Sequence, residues 1–151
     1  YGEIKNARKL VGEWIVRRTG GRIKTTQELV ETVEGCVPGK LKNKYLAQVF
    51  QALRIEVNDE MTALKEMLEQ CHEVLKPGGR LSVITYHSLE DRLVKNFIKK
   101  GKFEGEVEKD FYGNPLVKFK AINRKPILPS EEEIQNNNRA RSAKLRVAEK
   151  L

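Results

Sequence analysis

Polar side chains that can handle a proton follow an apolar run of this chain, at His87, Ser88, Glu90 and Asp91. An imidazole exchanges protons near neutral pH, so His87 could assist a reaction if a substrate lay beside it. A satisfied structural histidine is the plainer interpretation. Ser88 is read as a helix cap before a nucleophile, since no G-x-S-x-G pattern surrounds it. The two acids suit the first turn of a helix, where negative charge is stabilised.

A second polar line lies on a predicted helix. Gln51, Arg54 and Asn58 are spaced i, i+3 and i+7, which places them on one helix face. This face either lines a pocket or contacts RNA, or it is an ordinary solvated surface.

The C-terminal residues are rich in cations, namely Arg139, Arg141, Lys144, Arg146 and Lys150. Guanidinium groups bind phosphates through two parallel hydrogen bonds, so this tail is a candidate RNA contact. Alternatively, Lys144 and Arg146 occupy the solvent side of an edge strand, where such charges discourage aggregation.

Metal and nucleotide motifs give no positive signal. The cysteines Cys36 and Cys71 and the histidines His72 and His87 are too widely spaced for a metal site, so we expect no metal. Free thiols and a reducing cytosol are the expectation for the cysteines. The glycine pairs of the chain do not match G-x-G-x-x-G, so no main loop for a nucleoside cofactor is predicted.

The elements that position these groups are a strand and a helix. Residues 81–86 form a short apolar run that predicts a strand covered on both faces, preceded by a turn at Pro77-Gly78-Gly79. Ser88 is the predicted cap of a helix that ends at Gly101. In an open α/β sheet, ligands bind where strands end and helices begin.

Periodicity and turn signals predict the other elements. Apolar residues from Leu46 to Leu75 recur every three or four positions, as in one long helix or in two helices joined at Asn58-Asp59. Further predictions are a helix over 3–18, a helix from a Thr25 cap to Gly35 with Pro38 beyond, strands over 116–122 and 144–150, and a helical turn over 130–134.

Charge indicates the class of partner. The chain of 151 residues has a formal net charge of +8, which favours a polyanion such as RNA or DNA, although a solvated basic surface is the alternative. It contains no apolar run of about 18 residues, so we expect no membrane association. Helices that precede only three strands suggest the second half of a larger α/β protein.

Several motifs, in order, resemble the C-terminal half of the bacterial small-subunit rRNA cytosine-N4 methyltransferases of the MraW/RsmH type. The matching segments are 50–60 (FQALRIEVNDE), 77–81 (PGGRL), 87–92 (HSLEDR), 125–126 (KP), 129–133 (PSEEE) and 139–146 (RARSAKLR). The resemblance extends over the whole chain.

This resemblance implies an α/β fold: the last three strands of a Rossmann-like methyltransferase domain and part of an inserted helical substrate domain. Residues 1–44 would belong to the insertion and residues 45–151 to the catalytic domain. It implies a cytoplasmic enzyme that transfers a methyl group from S-adenosylmethionine to N4 of a cytidine in small-subunit rRNA. The family's cofactor-binding motifs match no position here, so we expect no cofactor-binding residue and no activity from this chain alone.

Location in the family motifs suggests roles for individual residues. Asn58, His87 and Ser88 are candidates for a pocket or for its support. Candidates for RNA contact are Arg54, Arg92, Arg139, Arg141, Lys144 and Arg146, of which the first four could instead brace the loops. Two other hypotheses stay open: a non-enzymatic RNA-binding or assembly module, which needs only the basic surfaces, and an inert folding fragment that forms a homodimer.

Overall fold

The computed structural model describes residues 1–37 and 39–151, apart from the side chain of Lys40. Its helices and strands are α1 (Ala7–Thr19), α2 (Thr26–Val33), α3 (Lys42–Val57), α4 (Glu60–Val74), β1 (Arg80–Thr85), α5 (Ser88–Lys100), β2 (Phe119–Ala121), α6 (Glu131–Asn136) and β3 (Lys144–Lys150). Short 3-10 helices cover Glu34–Cys36, Gly39–Leu41 and Asn138–Ser142. Within the described residues, every helix is too short or too polar to cross a membrane.

Two compact units make up the chain, Tyr1–Glu60 and Met61–Leu151. The predicted boundary between an inserted and a catalytic domain, after Lys44, falls inside the first unit. That boundary stays a prediction, because a compact unit of the structure need not coincide with a domain defined by the family.

The first unit buries a small core between α1, α2 and α3, formed by Leu10, Leu29, Val33, Cys36, Tyr45 and Val49. A polar network fixes the start of α1: the Tyr45 hydroxyl donates to Asn6 Oδ1 over 2.9 Å, and Asn6 Nδ2 donates to the Cys36 carbonyl over 2.8 Å. The predicted helix start at Glu3 is wrong. Glu3 has a φ of +53°, which a right-handed helix cannot include, so α1 begins at Ala7.

Thr25 is the cap of α2, as predicted, because its side chain accepts a hydrogen bond from the Glu28 backbone N–H. The end of α2, predicted near Gly35, falls at Val33, where a 3-10 helix over Glu34–Cys36 follows; Pro38 lies outside the described residues. The long apolar stripe of 46–75 forms two helices, α3 and α4, separated at Asn58-Asp59. Asp59 has a φ of +48°, which breaks the helical path at the predicted joint.

The second unit is built on an antiparallel sheet of order β1-β3-β2, in which Leu81 pairs with Ala148 and Phe119 with Lys150. Helices α4 and α5 supply the rest of its core, formed by Leu68, Leu81, Val83, Val94, Phe97, Ile98, Phe119 and Ala148. Within this unit, the polar head of Lys150 caps α4: Nζ donates to the carbonyls of His72 and Leu75 over 2.6 and 2.7 Å.

Burial along β1 corrects one expectation. Leu81, Val83 and Thr85 are buried, whereas alternate residues are exposed, with Ile84 at 56%. An antiparallel strand with one packed face alternates in this way, so the apolar run is not covered on both faces within the described residues.

Helix α5 ends as predicted. Gly101 adopts a φ of +72° and donates its N–H to the Phe97 carbonyl. A Cβ there would lie 3.0 Å from the Leu116 carbonyl oxygen. The strand predicted over 116–122 is shorter, Phe119–Ala121, whereas the last strand has its predicted bounds. The cysteines are free thiols, as expected, with Cys36 buried.

Candidate functional site

The junction between β1 and α5 is held by a reciprocal cap. His87 Nδ1 accepts a hydrogen bond from the Glu90 backbone N–H over 3.4 Å. The Glu90 carboxylate in turn accepts from the backbone N–H groups of Tyr86 and His87, over 2.8 and 3.3 Å. This geometry is a capping box with a histidine at the cap position. His87 therefore has a structural role here.

The predicted cap at Ser88 is wrong. Ser88 is the first residue of α5 and is exposed, and the cap lies one position earlier. The signal was present as the spacing His87-x-x-Glu90, but histidine is not among the preferred cap residues. The side chain of His87 is 11% exposed, and Nε2 lies 3.3 Å from Glu90 Oε1 without a hydrogen bond.

One turn into α5, Asp91 forms a two-pronged ion pair with Arg146 of β3. Arg146 Nε and Nη2 donate to the two carboxylate oxygens over 2.7 and 3.1 Å. Both side chains are largely buried, at 13% and 11% exposure, and Lys144 Nζ lies 3.6 Å from the same carboxylate. Burial acts to raise the pKa of Asp91, but the hydrogen bonds and charge of Arg146, with those of Lys144, outweigh it and lower the pKa.

Antiparallel pairing explains how residues so distant in sequence meet. Thr85 at the end of β1 pairs with Lys144 at the start of β3, so the cations of β3 lie beside the first turn of α5. The ion pair spans 55 residues of sequence, and no local spacing signals it. Lys144 and Arg146 were predicted RNA contacts; that role stays untested, while Arg146 is engaged with Asp91.

Arg139 and Arg141 lie just before β3, in the 3-10 helix Asn138–Ser142, and both are exposed. Asn137 caps this turn by accepting from the Arg139 backbone N–H over 3.2 Å, and Ala140 between the two arginines is buried. The turn thus holds the backbone while both guanidinium groups face solvent. Arg92, on α5, is exposed as well.

The remaining candidates lie in the first unit, where α3 ends. Arg54 Nε and Nη2 donate to the Glu60 carboxylate over 2.7 and 3.0 Å. Asn58 Nδ2 donates to the same group over 3.3 Å. Two of the three residues of the predicted polar line, Arg54 and Asn58, therefore lie close together, because both donate to the Glu60 carboxylate.

Comparison with known proteins places the chain in a family. The model of the MraW methylase family matches residues 1–151. The chain is similar to the "Ribosomal RNA small subunit methyltransferase H" of Flavobacterium johnsoniae, with 62% identity over 151 residues. Proteins of the same name from Amoebophilus asiaticus and Parabacteroides distasonis are 58% and 56% identical over 150 and 151 residues.

These alignments cover 99–100% of the chain but only 48–50% of the relatives. The chain thus spans about half the length of the curated relatives it matches. With a match along its full length and identities far above chance, the chain belongs to the MraW methylase family.

Proposed function

We propose that this chain is the C-terminal portion of an S-adenosylmethionine-dependent methyltransferase that modifies N4 of a cytidine in small-subunit rRNA in the cytoplasm. The observation that carries the proposal is the family match over residues 1–151, together with relatives up to 62% identical that are named ribosomal RNA small subunit methyltransferase H. Mixed α/β architecture and the net charge of +8 are compatible with a methyltransferase that handles RNA.

The residues of this chain do not fit the main binding site of the cofactor. At the start of α5, where backbone N–H groups could otherwise hold an anionic or polar ligand, the Glu90 N–H donates to His87 Nδ1, and the Glu90 carboxylate accepts from the N–H groups of Tyr86 and His87 just before the helix. A glycine-rich loop is absent from the sequence. We therefore assign the methyl donor to the part of the relatives that this chain does not span, and we derive no step through it.

This chain's contribution to the reaction is the placement of RNA. A base must leave its stack before an enzyme can reach an exocyclic amine, and holding it in position supplies much of the rate enhancement. His87 positions the β1–α5 junction, since its Nδ1 is occupied by a backbone donor. Arg139 and Arg141 offer exposed guanidinium groups that fit phosphate contacts, and Arg92 stays a candidate for RNA contact.

Asn58 and Ser88 stay candidates for the pocket. The Asn58 amide lies beside the Arg54–Glu60 pair, and the Ser88 hydroxyl is exposed at the start of α5. Both groups can donate and accept hydrogen bonds, as reading the edge of a base requires.

Two binding measurements test the proposal. Calorimetry of residues 1–151 with S-adenosylmethionine should give no tight binding, and low-micromolar affinity would contradict the assignment of the donor to the other half. Filter binding with small-subunit rRNA should show affinity that falls steeply with salt. Failure to bind rRNA at low salt would count against a substrate-positioning role.

The second candidate is an RNA-binding or assembly module without enzymatic activity. The exposed arginines of the 3-10 helix Asn138–Ser142 favour it, since they need no cofactor half to contact phosphates. A module would bind rRNA selectively by itself and would gain nothing from the other half. By contrast, one half of a methyltransferase would gain catalytic activity when it is joined to the other half.

A further inference from the structure

A cavity of about 680 Å³ lies within the first unit, between the end of α1, the loop that precedes α2, and α3. Its volume falls in the range of about 300–1,000 Å³ typical of small-molecule sites. None of the residues singled out at the β1–α5 junction or at the end of α3 borders it.

Aromatic and aliphatic side chains form the apolar part of this cavity. Trp14 and Phe50 line it together with Leu29 and Leu53. Trp14 and Phe50 are partly buried against the core of the unit, so one part of each ring is fixed by packing while another borders the cavity. Such anchored rings can stack a planar group with little loss of conformational entropy.

The rim of the cavity is positively charged. Arg18, Arg22 and Lys24 line it, and all three are exposed. Residues 17–24 (RRTGGRIK) contain four cations and no acid. The nearby carboxylate of Glu28 accepts a hydrogen bond from the Lys24 backbone N–H over 2.7 Å. This acid is therefore engaged with the backbone of the loop.

We propose that this cavity binds a single-stranded ribonucleotide segment of the RNA substrate, an inference that rests on the proposed function. A base stacks on Trp14 or Phe50, and its phosphates contact Arg18, Arg22 and Lys24. Rings beside cations are the combination with which proteins hold single-stranded nucleic acid. The rings alone would suit many apolar ligands, and the cations alone would suit any polyanion; together they favour an unpaired nucleotide.

Fluorescence gives a direct readout, because Trp14 is the single tryptophan of the chain. Titration with a 12-residue oligocytidine should quench Trp14 emission in step with the binding of the same labelled RNA measured by anisotropy. Inorganic polyphosphate, which has charge but no base, should bind more weakly and leave the emission unchanged. Equal affinity for both polyanions without quenching would overturn the proposal.

Charge removal tests the phosphate contacts. R18S/R22S should lower RNA affinity about tenfold at moderate salt and reduce the slope of log affinity against log salt by about 1.4, as expected for two lost single-strand phosphate contacts. The control R8S/K44S removes two exposed cations of the same unit that do not line the cavity. It should lower affinity less than threefold. Thermal unfolding should be the same for both variants, since all four side chains are exposed.

The outcomes separate this inference from the proposed function. Quenching together with the selective loss in R18S/R22S supports the cavity as the site. RNA binding without quenching, with both double variants equally weakened, overturns the cavity while leaving the rRNA proposal intact. Absence of RNA binding at low salt overturns both.

Discussion

Cations in β3 and cations around the end of α1 serve opposite purposes. In β3, Arg146 forms a buried ion pair with Asp91, and Lys150 caps the carbonyl end of α4. At the end of α1 and in the loop that follows it, Arg18, Arg22 and Lys24 are exposed around a cavity with aromatic walls. Both stretches are basic in sequence, yet Arg146 is engaged inside the protein, whereas the cations around the cavity are exposed.

Charge density is therefore a poor guide to binding unless the burial of the charged groups is known. A buried guanidinium must have a partner inside the protein, because an isolated charge in a low-dielectric interior is very costly. An exposed guanidinium contributes little to folding and can exchange water for phosphate. Substitutions in β3 should therefore change stability, and those at exposed arginines should change binding.

Breaking the Asp91–Arg146 pair should have the largest effect. R146M leaves the Asp91 carboxylate without its main partner, so the free energy of unfolding should fall by about 2–4 kcal/mol, as measured by urea denaturation. The double variant D91L/R146M removes the unpaired charge and should regain much of the loss. Equal instability of the single and double variants would contradict a buried-charge penalty.

Removing the cap of α5 should cost less. H87A loses the acceptor for the Glu90 N–H and should destabilise the protein by about 1 kcal/mol, whereas H87N keeps a good cap and should lose less. S88A, the matched control at the adjacent position, should change stability by less than about 0.5 kcal/mol. A larger loss for S88A than for H87A would restore Ser88 as the cap.

Stability should fall in two separate acidic ranges. Burial and the nearby Lys150 and Lys118 lower the pKa of His72 below its usual 6.5, so the folded state resists protonation. The contribution of His72 to the free energy of unfolding is then complete above about pH 6.5 and is lost as pH falls through the lowered pKa. H72Q should remove this decline, as followed by urea denaturation between pH 7.5 and 5. An unchanged decline in H72Q would assign it to another group.

The second range belongs partly to Asp91. Its lowered pKa contributes stability that is present above its usual 3.8 and is lost as pH falls through the folded value. D91L/R146M should therefore be less sensitive to acid below pH 4 than the wild type. Equal sensitivity would mean that the pair contributes little to acid unfolding.

The smallest effect on folding is expected at the exposed tail. R139S/R141S should change the free energy of unfolding by less than about 0.5 kcal/mol, because both side chains face solvent. The same variant should weaken rRNA binding and flatten its salt dependence. Loss of stability without loss of binding would show that these arginines, like Arg146, stabilise the fold and do not contact RNA.

Local signals in the sequence were sufficient for several elements. The predictions of the Thr25 cap and of the Gly101 end of α5 depend on neighbouring residues, and both are confirmed. For the stripe of 46–75 the sequence left one helix or two open, and the structure has two, separated at Asn58-Asp59. The His87 cap was missed because its spacing is standard but its residue type is not. Exposure of Ile84 was missed because a continuous apolar run does not reveal whether both faces of its strand are packed.

The candidate site was harder to predict, since it depends on long-range pairing. Asp91 and Arg146 meet only because β1 and β3 are antiparallel in a particular register, which no local pattern specifies. The cavity beside Trp14 likewise combines residues of α1, α2 and α3. Family motifs identified which residues to consider, but only the fold separated engaged cations from exposed ones.

The most direct measurement is methyl transfer from labelled S-adenosylmethionine to small ribosomal subunits. This chain would be assayed alone and joined to the half of the Flavobacterium johnsoniae relative that it does not span. We predict no incorporation by the chain alone, and incorporation at N4 of a cytidine by the joined protein. Comparable incorporation by the chain alone would contradict the assignment of this chain as the RNA-positioning half of an rRNA methyltransferase. Methylation by the joined protein of a component other than RNA would contradict it as well.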